Sequence, residues 1–226
     1  MKEIMGKMDI VEIGGKLALF YVPFLFALCF HEFAHGFVAK MRGDNTAEQM
    51  GRLTLNPFAH ADLIGTFLLP VSAIIFGIPI FFGWAKPVPV NTRNLKNIRT
   101  DMFWIALAGP ASNILLAVLG TGFMFFAVRY GFLGDYAPQV FKLTQMFILT
   151  NIFLAIFNII PLHPLDGGKV LARFLPASIN YKLEQNEQAT SMILMVLVFT
   201  GALGVLRVPV MALFGVLMAF AGGGVI

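Results

Sequence analysis

The run from Leu17 to Ala39 holds 23 residues without a lysine, arginine or aspartate. A helix needs roughly 20 mostly apolar residues to cross a bilayer, and this run supplies them. Four more stretches have the same character. Leu63–Phe82 has 20 residues and carries Pro70 and Pro79. Met102–Val128 has 27 and contains Gly109-Pro110 and Asn113, while Met146–Leu162 has 17 and contains Asn151, Asn158 and Pro161. Ser191–Ile226 is apolar except at Arg207 and is long enough for a helical hairpin turning near Arg207-Val208-Pro209. With 58% hydrophobic and 12% charged residues, the chain is far from the about 25% charge of a soluble domain and excludes a disordered one. The expected fold is an all-α polytopic membrane protein with about five or six transmembrane helices, organised as one membrane-embedded domain over residues 1–226.

The connecting segments carry the charge. Sixteen Lys and Arg stand against twelve Asp and Glu, a formal charge of +4, scattered and not gathered into a run. Nucleic acid is therefore not an expected partner, whereas the anionic surface of a lipid bilayer is a natural one. Basic residues flank Leu63–Phe82 on both sides, with Lys40, Arg42 and Arg52 before it and Lys86, Arg93, Lys96 and Arg99 after it. Alternating loops should differ in charge when every apolar run crosses. Either this segment does not simply cross, or part of Gly83–Asn91 dips back into the membrane. Pro87 and Pro89 forbid a helix there and impose extended geometry on their predecessors, so a short extended or hairpin element is expected near residues 83–91. Irregular backbone at membrane depth is tolerated only where it is buried in protein or lines a wet cavity. Cys29 is the single cysteine, which rules out an intramolecular disulfide and points to core packing. The opening MKEIMGKMDIVEIGG mixes charges and lacks a small-residue cleavage site, so no cleaved signal peptide is expected.

Chemistry enters the first apolar run at His31-Glu32-Phe33-Ala34-His35, an H-E-x-x-H pattern. On a helix, positions i and i+4 share a face, so both imidazoles can reach one metal ion while the glutamate reaches a water on that ion. At 1.5 Å per residue, His31 lies about 12 Å inside the Ala39 end of its run. Two histidines and a glutamate at that depth cost several kcal/mol unless they are paired or coordinated, which favours metal binding over two satisfied core histidines. Catalytic zinc takes three protein ligands and keeps a position open. The third ligand must be His60, His163 or a carboxylate, because the chain has four histidines in all. The strongest candidate ends the fourth apolar run, in Asn158-Ile-Ile-Pro161-Leu-His163-Pro164-Leu-Asp166-Gly167-Gly168. Its prolines end the helix, and its glycines permit a sharp turn that presents Asp166 to the bundle interior. Taken alone, Asp166 reads equally as the cap of a following helix.

Together the two motifs resemble the site-2 protease family of intramembrane zinc metalloproteases, which joins H-E-x-x-H in one transmembrane helix to N-x-x-P-x-x-x-x-D-G at another. The matching residues are His31, Glu32 and His35, then Asn158, Pro161, Asp166 and Gly167. The stretches Gly51-Arg-Leu-Thr-Leu-Asn-Pro57, Gly83-Trp-Ala-Lys-Pro-Val88 and Gly109-Pro-Ala-Ser-Asn113 follow the family's order. The likeness spans about Phe30 to Lys169 and is greatest to short members that consist of little more than the membrane core. It implies one zinc ion per chain held by His31, His35 and Asp166, with Glu32 as general base for peptide-bond hydrolysis. The expected substrates are membrane-anchored proteins or peptides, cut within or near transmembrane segments. The expected location is a multi-pass position in the cell (cytoplasmic) membrane of a prokaryote.

A transmembrane helix satisfies its own amides, so a protease acting there must hold its substrate extended. Lys86–Asn91 is a candidate edge for strand addition, which puts Lys86 and Val88 among the expected substrate-binding residues. Asn113 and Asn158 are candidates for donating to the oxyanion or orienting substrate backbone, or else for interhelical bonding. His60 and His163 are left outside the ligand set. No phosphate-binding loop is present, since Gly167-Gly168-Lys169 lacks the earlier glycine of a P-loop. A metal transporter and a non-catalytic binder of transmembrane segments are the alternatives. The first lacks an internal repeat and gives Glu32 no role, and the second would be marked by loss of one of His31, Glu32, His35 or Asp166.

Overall fold

The computed structural model describes residues 10–76 and 83–222. Among them every regular element is a helix. The first apolar run forms α1 (Val11–Met41), which loosens into a π turn over Leu17–Tyr21 just before Pro23. That is a usual way for a membrane helix to accommodate a residue with no backbone N–H. The helix ends at Arg42-Gly43, where Gly43 takes φ 105°, a conformation that favours glycine. The side chain of Asp62 then accepts from the Ile64 and Gly65 amides and starts α2 (Leu63–Phe76). The described part of α2 is shorter than the roughly 20 residues of a crossing helix. Residues 77–82, the end of the expected second run, lie outside the described residues.

Asn97 caps α3 (Ile98–Tyr130), which runs 33 residues and stops at Gly131 in the left-handed conformation. It passes through Gly109-Pro110 without a break. The following helix, α4 (Ala137–Asn158), starts nine residues before the expected Met146. Lys142 and Gln145 make its first half look like a loop when hydropathy alone is read. After the turn at 159–165 come α5 (Asp166–Ala172), α6 (Ala177–Gln185), α7 (Glu187–Phe199) and α8 (Arg207–Phe220). The last apolar run is interrupted at Thr200-Gly201 and not at Arg207-Val208-Pro209; a 3-10 turn over Ala202–Leu206 then leads into α8. Among the described residues, four helical stretches are long and apolar enough to cross a membrane: Val11–Met41, Ile98–Tyr130, Gly134–Asn158 and Ala202–Phe220. Leu63–Phe76 and Glu187–Val198 are shorter apolar helices.

The centre of the packing is α3, against which α1, α4 and α5 all lie. One stripe of α3 is made of Ala106, Gly109, Pro110, Asn113, Ala117 and Thr121, all buried, at spacings of three and four. Small side chains on such a stripe let neighbouring helix backbones approach closely, which is how helices associate where lipid and protein are equally apolar. Gly120 adds to the contact, since a Cβ there would come 2.9 Å from Ile148 Cγ1 of α4. Below it, Ala117, Met124, Ile148, Ile152 and Val210 form an apolar cluster that joins α3, α4 and α8. The polar distribution is the inverse of a soluble bundle. Leu115, Leu119 and Phe126 face outward, whereas His31, Asn113, Asn151 and Asp166 are buried.

Candidate metal centre

Three elements meet at one point. His31 and His35 come from consecutive turns of α1, on the stripe that also buries Ala27, Glu32 and Ala39. Asp166 opens α5, which folds back against α3 after the turn that ends α4. Backbone crowding fixes that turn: a Cβ on Gly167 would fall on the carbonyls of Ile159 and Ile160, and one on Gly168 would lie 2.8 Å from the His163 nitrogen. Only glycine lets the chain pack there, and Asp166 is swung onto α1 as a result.

His31 Nε2 lies 3.0 Å from Asp166 Oδ2, His35 Nε2 lies 3.2 Å from the same oxygen, and the two Nε2 atoms are 3.1 Å apart. All three side chains are buried. The hydrogen bonds behind them decide what these atoms are. His31 Nδ1 donates to Asn113 Oδ1 at 2.7 Å, and His35 Nδ1 donates to the Ile105 carbonyl at 2.6 Å. Asn113 presents its oxygen because its Nδ2 donates to the Ala27 carbonyl and to Asn151 Oδ1. With both Nδ1 atoms bonded outward, each ring turns its Nε2 toward Asp166. Asp166 Oδ2 is buried and accepts no hydrogen bond. Two imidazole nitrogens and a carboxylate oxygen thus converge to within 3.2 Å of one another, an arrangement that a cation at the centre would hold together. Ligands at zinc's 2.0–2.1 Å in tetrahedral directions are about 3.3 Å apart, close to the spacings here. The donor set fits zinc, and the outer bonds to Asn113 and Ile105 are of the kind that orient metal-ligating histidines.

Room for the cluster comes from Gly109, where a Cβ would sit 2.5–2.6 Å from His35 Nε2 and His31 Nε2. Glu32, next to His31, is also buried, and its Oε2 accepts the Val88 amide at 2.8 Å. Glu32, His31, His35 and Asp166 open onto one cavity of about 1020 Å³, also bounded by Val88 and Asn158.

The remaining expected residues occupy distinct places. Asn113 is fully buried and bonded to His31, Ala27 and Asn151, so it orients the His31 ring and does not open onto the cavity. Asn158 donates back to the Leu154 carbonyl and lines the cavity. Residues 83–91 form no regular element. Their even-numbered amides are given to the protein itself: Trp84 to the Gly65 carbonyl, Lys86 to the His60 carbonyl and Val88 to Glu32. The structure brings neither His60 nor His163 into the cluster. His60 Nε2 donates to the Thr54 carbonyl, and His163 packs against Gly168. Asn151, Gly109 and the Ile105 carbonyl were not singled out from sequence for this site. The signal for Gly109 and Asn151 was their presence within apolar runs, but a backbone carbonyl carries no signal at all.

A family model described as peptidase family M50 matches residues 134–202, which include Asn158, Pro161 and Asp166. The chain is 35% identical over 181 residues to "Putative zinc metalloprotease YwhC" of Bacillus subtilis strain 168, covering 79% of each protein. It is 33% identical over 192 residues to "Putative zinc metalloprotease Rip2" of Mycolicibacterium smegmatis, covering 84% of this chain and 70% of that one. Rip2 of Mycobacterium tuberculosis is 28% identical over 188 residues, with 81% and 68% covered. No solved structure matches the chain.

Proposed function

This chain belongs to peptidase family M50, a family of zinc metallopeptidases, and on that premise we propose that it hydrolyses peptide bonds within or near transmembrane segments of membrane-anchored proteins. In this reading His31, His35 and Asp166 hold the zinc ion, and Glu32 is the general base. The observation that carries it is the convergence of two imidazole nitrogens and a carboxylate oxygen beside a buried glutamate on one large cavity.

Zinc, when bound, supplies a Lewis acid that makes water acidic near neutral pH and polarises a carbonyl. The chain's residues do the rest. Glu32 accepts the proton of the attacking water at its carboxylate and delivers it to the departing amide nitrogen as the carbon–nitrogen bond breaks. The Val88 amide holds that carboxylate in place. Asn113 and the Ile105 carbonyl keep the two imidazoles in the tautomer that leaves Nε2 free. Asn158, on the cavity wall, is the side chain available to orient substrate backbone or donate to a developing oxyanion. The cavity is lined mainly by apolar side chains, among them Leu28, Phe153, Leu154 and Met195, which suits an apolar peptide segment drawn out of the bilayer. As an integral membrane protein with relatives in bacteria, it is assigned in this reading to the cell membrane of a prokaryote. Neither the transporter nor the non-catalytic binder has a feature here that favours it.

The test is Glu32→Gln in purified full-length protein with a transmembrane peptide as substrate. The variant should keep its zinc and lose cleavage by about 10²-fold or more, the scale of a lost general base. A variant that cuts at the parent rate removes Glu32 from the mechanism.

A further inference from the structure

Val88 stands between two prolines, Pro87 and Pro89. Its amide is therefore the only N–H in that tripeptide, and it is the one that donates to Glu32. A slip of the segment by one residue in either direction would bring an imide nitrogen to Glu32 and leave the buried carboxylate without that donor. The register of residues 86–88 is thus a condition for the placement of Glu32, and something must fix it.

The ends of the segment are tied some distance away. Trp84 is held by Gly65 and Thr66, and the Asn91 amide donates to Asp44 Oδ2 at 2.7 Å. Nearer to Val88, the Lys86 amide donates to the His60 carbonyl, and the Lys86 and Pro87 carbonyls are held by a side chain that the sequence motif Gly51-Arg52-Leu53 contributes. Arg52 Nη2 donates to the Lys86 carbonyl at 2.7 Å and to the Pro87 carbonyl at 3.3 Å. Arg52 is buried, and among the described residues no carboxylate lies within ion-pair distance of it. Burying a guanidinium on two carbonyls, without a counter-charge, is a costly way to fasten a loop. A single nitrogen, Nη2, grips two successive carbonyls and so defines both position and direction of the chain.

We propose that Arg52 is a positioning residue for Glu32: it locks the Lys86–Pro87 backbone in the register that lays the Val88 amide on the Glu32 carboxylate. The inference rests on Glu32 being the general base, and its structural half stands independently of that. Arg52 touches no reacting atom. A displacement of a base by about 1 Å is enough to cost about 10²-fold in rate while leaving substrate binding largely intact.

The experiment compares full-length parent, Arg52→Met and Arg52→Lys in detergent. Exchange of the Val88 amide, isolated between two prolines, is followed by mass spectrometry, alongside zinc per chain and kcat and KM on a transmembrane peptide. Arg52→Met should speed Val88 exchange about 10-fold or more as its bond to Glu32 opens, with zinc retained. Its kcat should fall about 10-fold or more with KM within about 3-fold of the parent, and Arg52→Lys should recover part of both. Unchanged Val88 exchange in Arg52→Met overturns the proposal, as does faster exchange with unchanged kcat, or activity lost only in step with zinc. A parent that neither binds zinc nor cleaves contradicts the assigned function instead, and Val88 exchange then still decides whether Arg52 holds the register.

Discussion

At the scale of single residues, the site depends on what each side chain excludes as much as on what it bonds. Gly109 leaves the space in which two imidazoles meet Asp166, since a Cβ there would press to 2.5–2.6 Å from both Nε2 atoms. Gly109→Ala should therefore lose zinc while keeping a helical fold, measured as metal content beside circular dichroism, and a variant with full zinc would show that the rings have room to move. Asp44, just beyond α1, is a second demanding position. Burial raises its carboxyl, but bonds from the Thr46 hydroxyl and amide, the Asn94 side chain and the Asn91 amide outweigh that and hold it below the usual carboxylate range. A carboxyl lower in the folded than in the unfolded chain adds stability above its unfolded value near 4, and that stability is lost as pH falls through the folded value. Asp44→Asn should cost about 1–3 kcal/mol at pH 7, with the gap to the parent closing in acid, as read from thermal unfolding in detergent across pH. A gap that persists unchanged to the lowest pH would deny the charge its role. Residue identity made part of this legible. His31, Glu32 and His35 lie within one helical turn or so, and helix periodicity alone puts them on a face. Asn113 could not be assigned in the same way, because an asparagine that orients a histidine and one that meets a substrate look identical in an apolar run.

Helices set the next scale. The long α3 is held by small residues on its buried stripe, and at Gly120 a Cβ would crowd Ile148 of α4. Gly120→Val should push Ile148 away and destabilise the α3–α4 contact by about 1–3 kcal/mol, an overpacking cost that unfolding in denaturant should reveal. Unaltered stability would mean that Ile148 repacks freely. Apolar runs announced α1 and α3 within a few residues, because lipid-facing helices need no periodic pattern, only length. The start of α4 was hidden by Lys142 and Gln145, which belong to the helix although their polarity reads as a connection. Asp166 is the opposite case. Its local sequence fits a helix cap as well as a ligand, and only the fold of the 159–165 turn back onto α3 makes it a partner of residues more than 130 positions earlier.

Over the whole molecule, an inside-out distribution of polarity places His31, Glu32, His35 and Asp166 on one cavity. Leucines and phenylalanines face outward, while Asn113 and Asn151 bind α1, α3 and α4 together behind the histidines. The same bonds that join the helices set the histidine tautomers, so assembly of the bundle and readiness of the site are one event. In the proposed function, two motifs more than 120 residues apart form a single zinc site. The most direct test is zinc per chain in detergent-purified protein, compared with His35→Ala and Asp166→Ala. About one zinc in the parent and clear loss in both variants is the expected result for a site with three protein ligands. A well-folded parent that takes up no zinc, or an Asp166→Ala variant that keeps its full share, would contradict it.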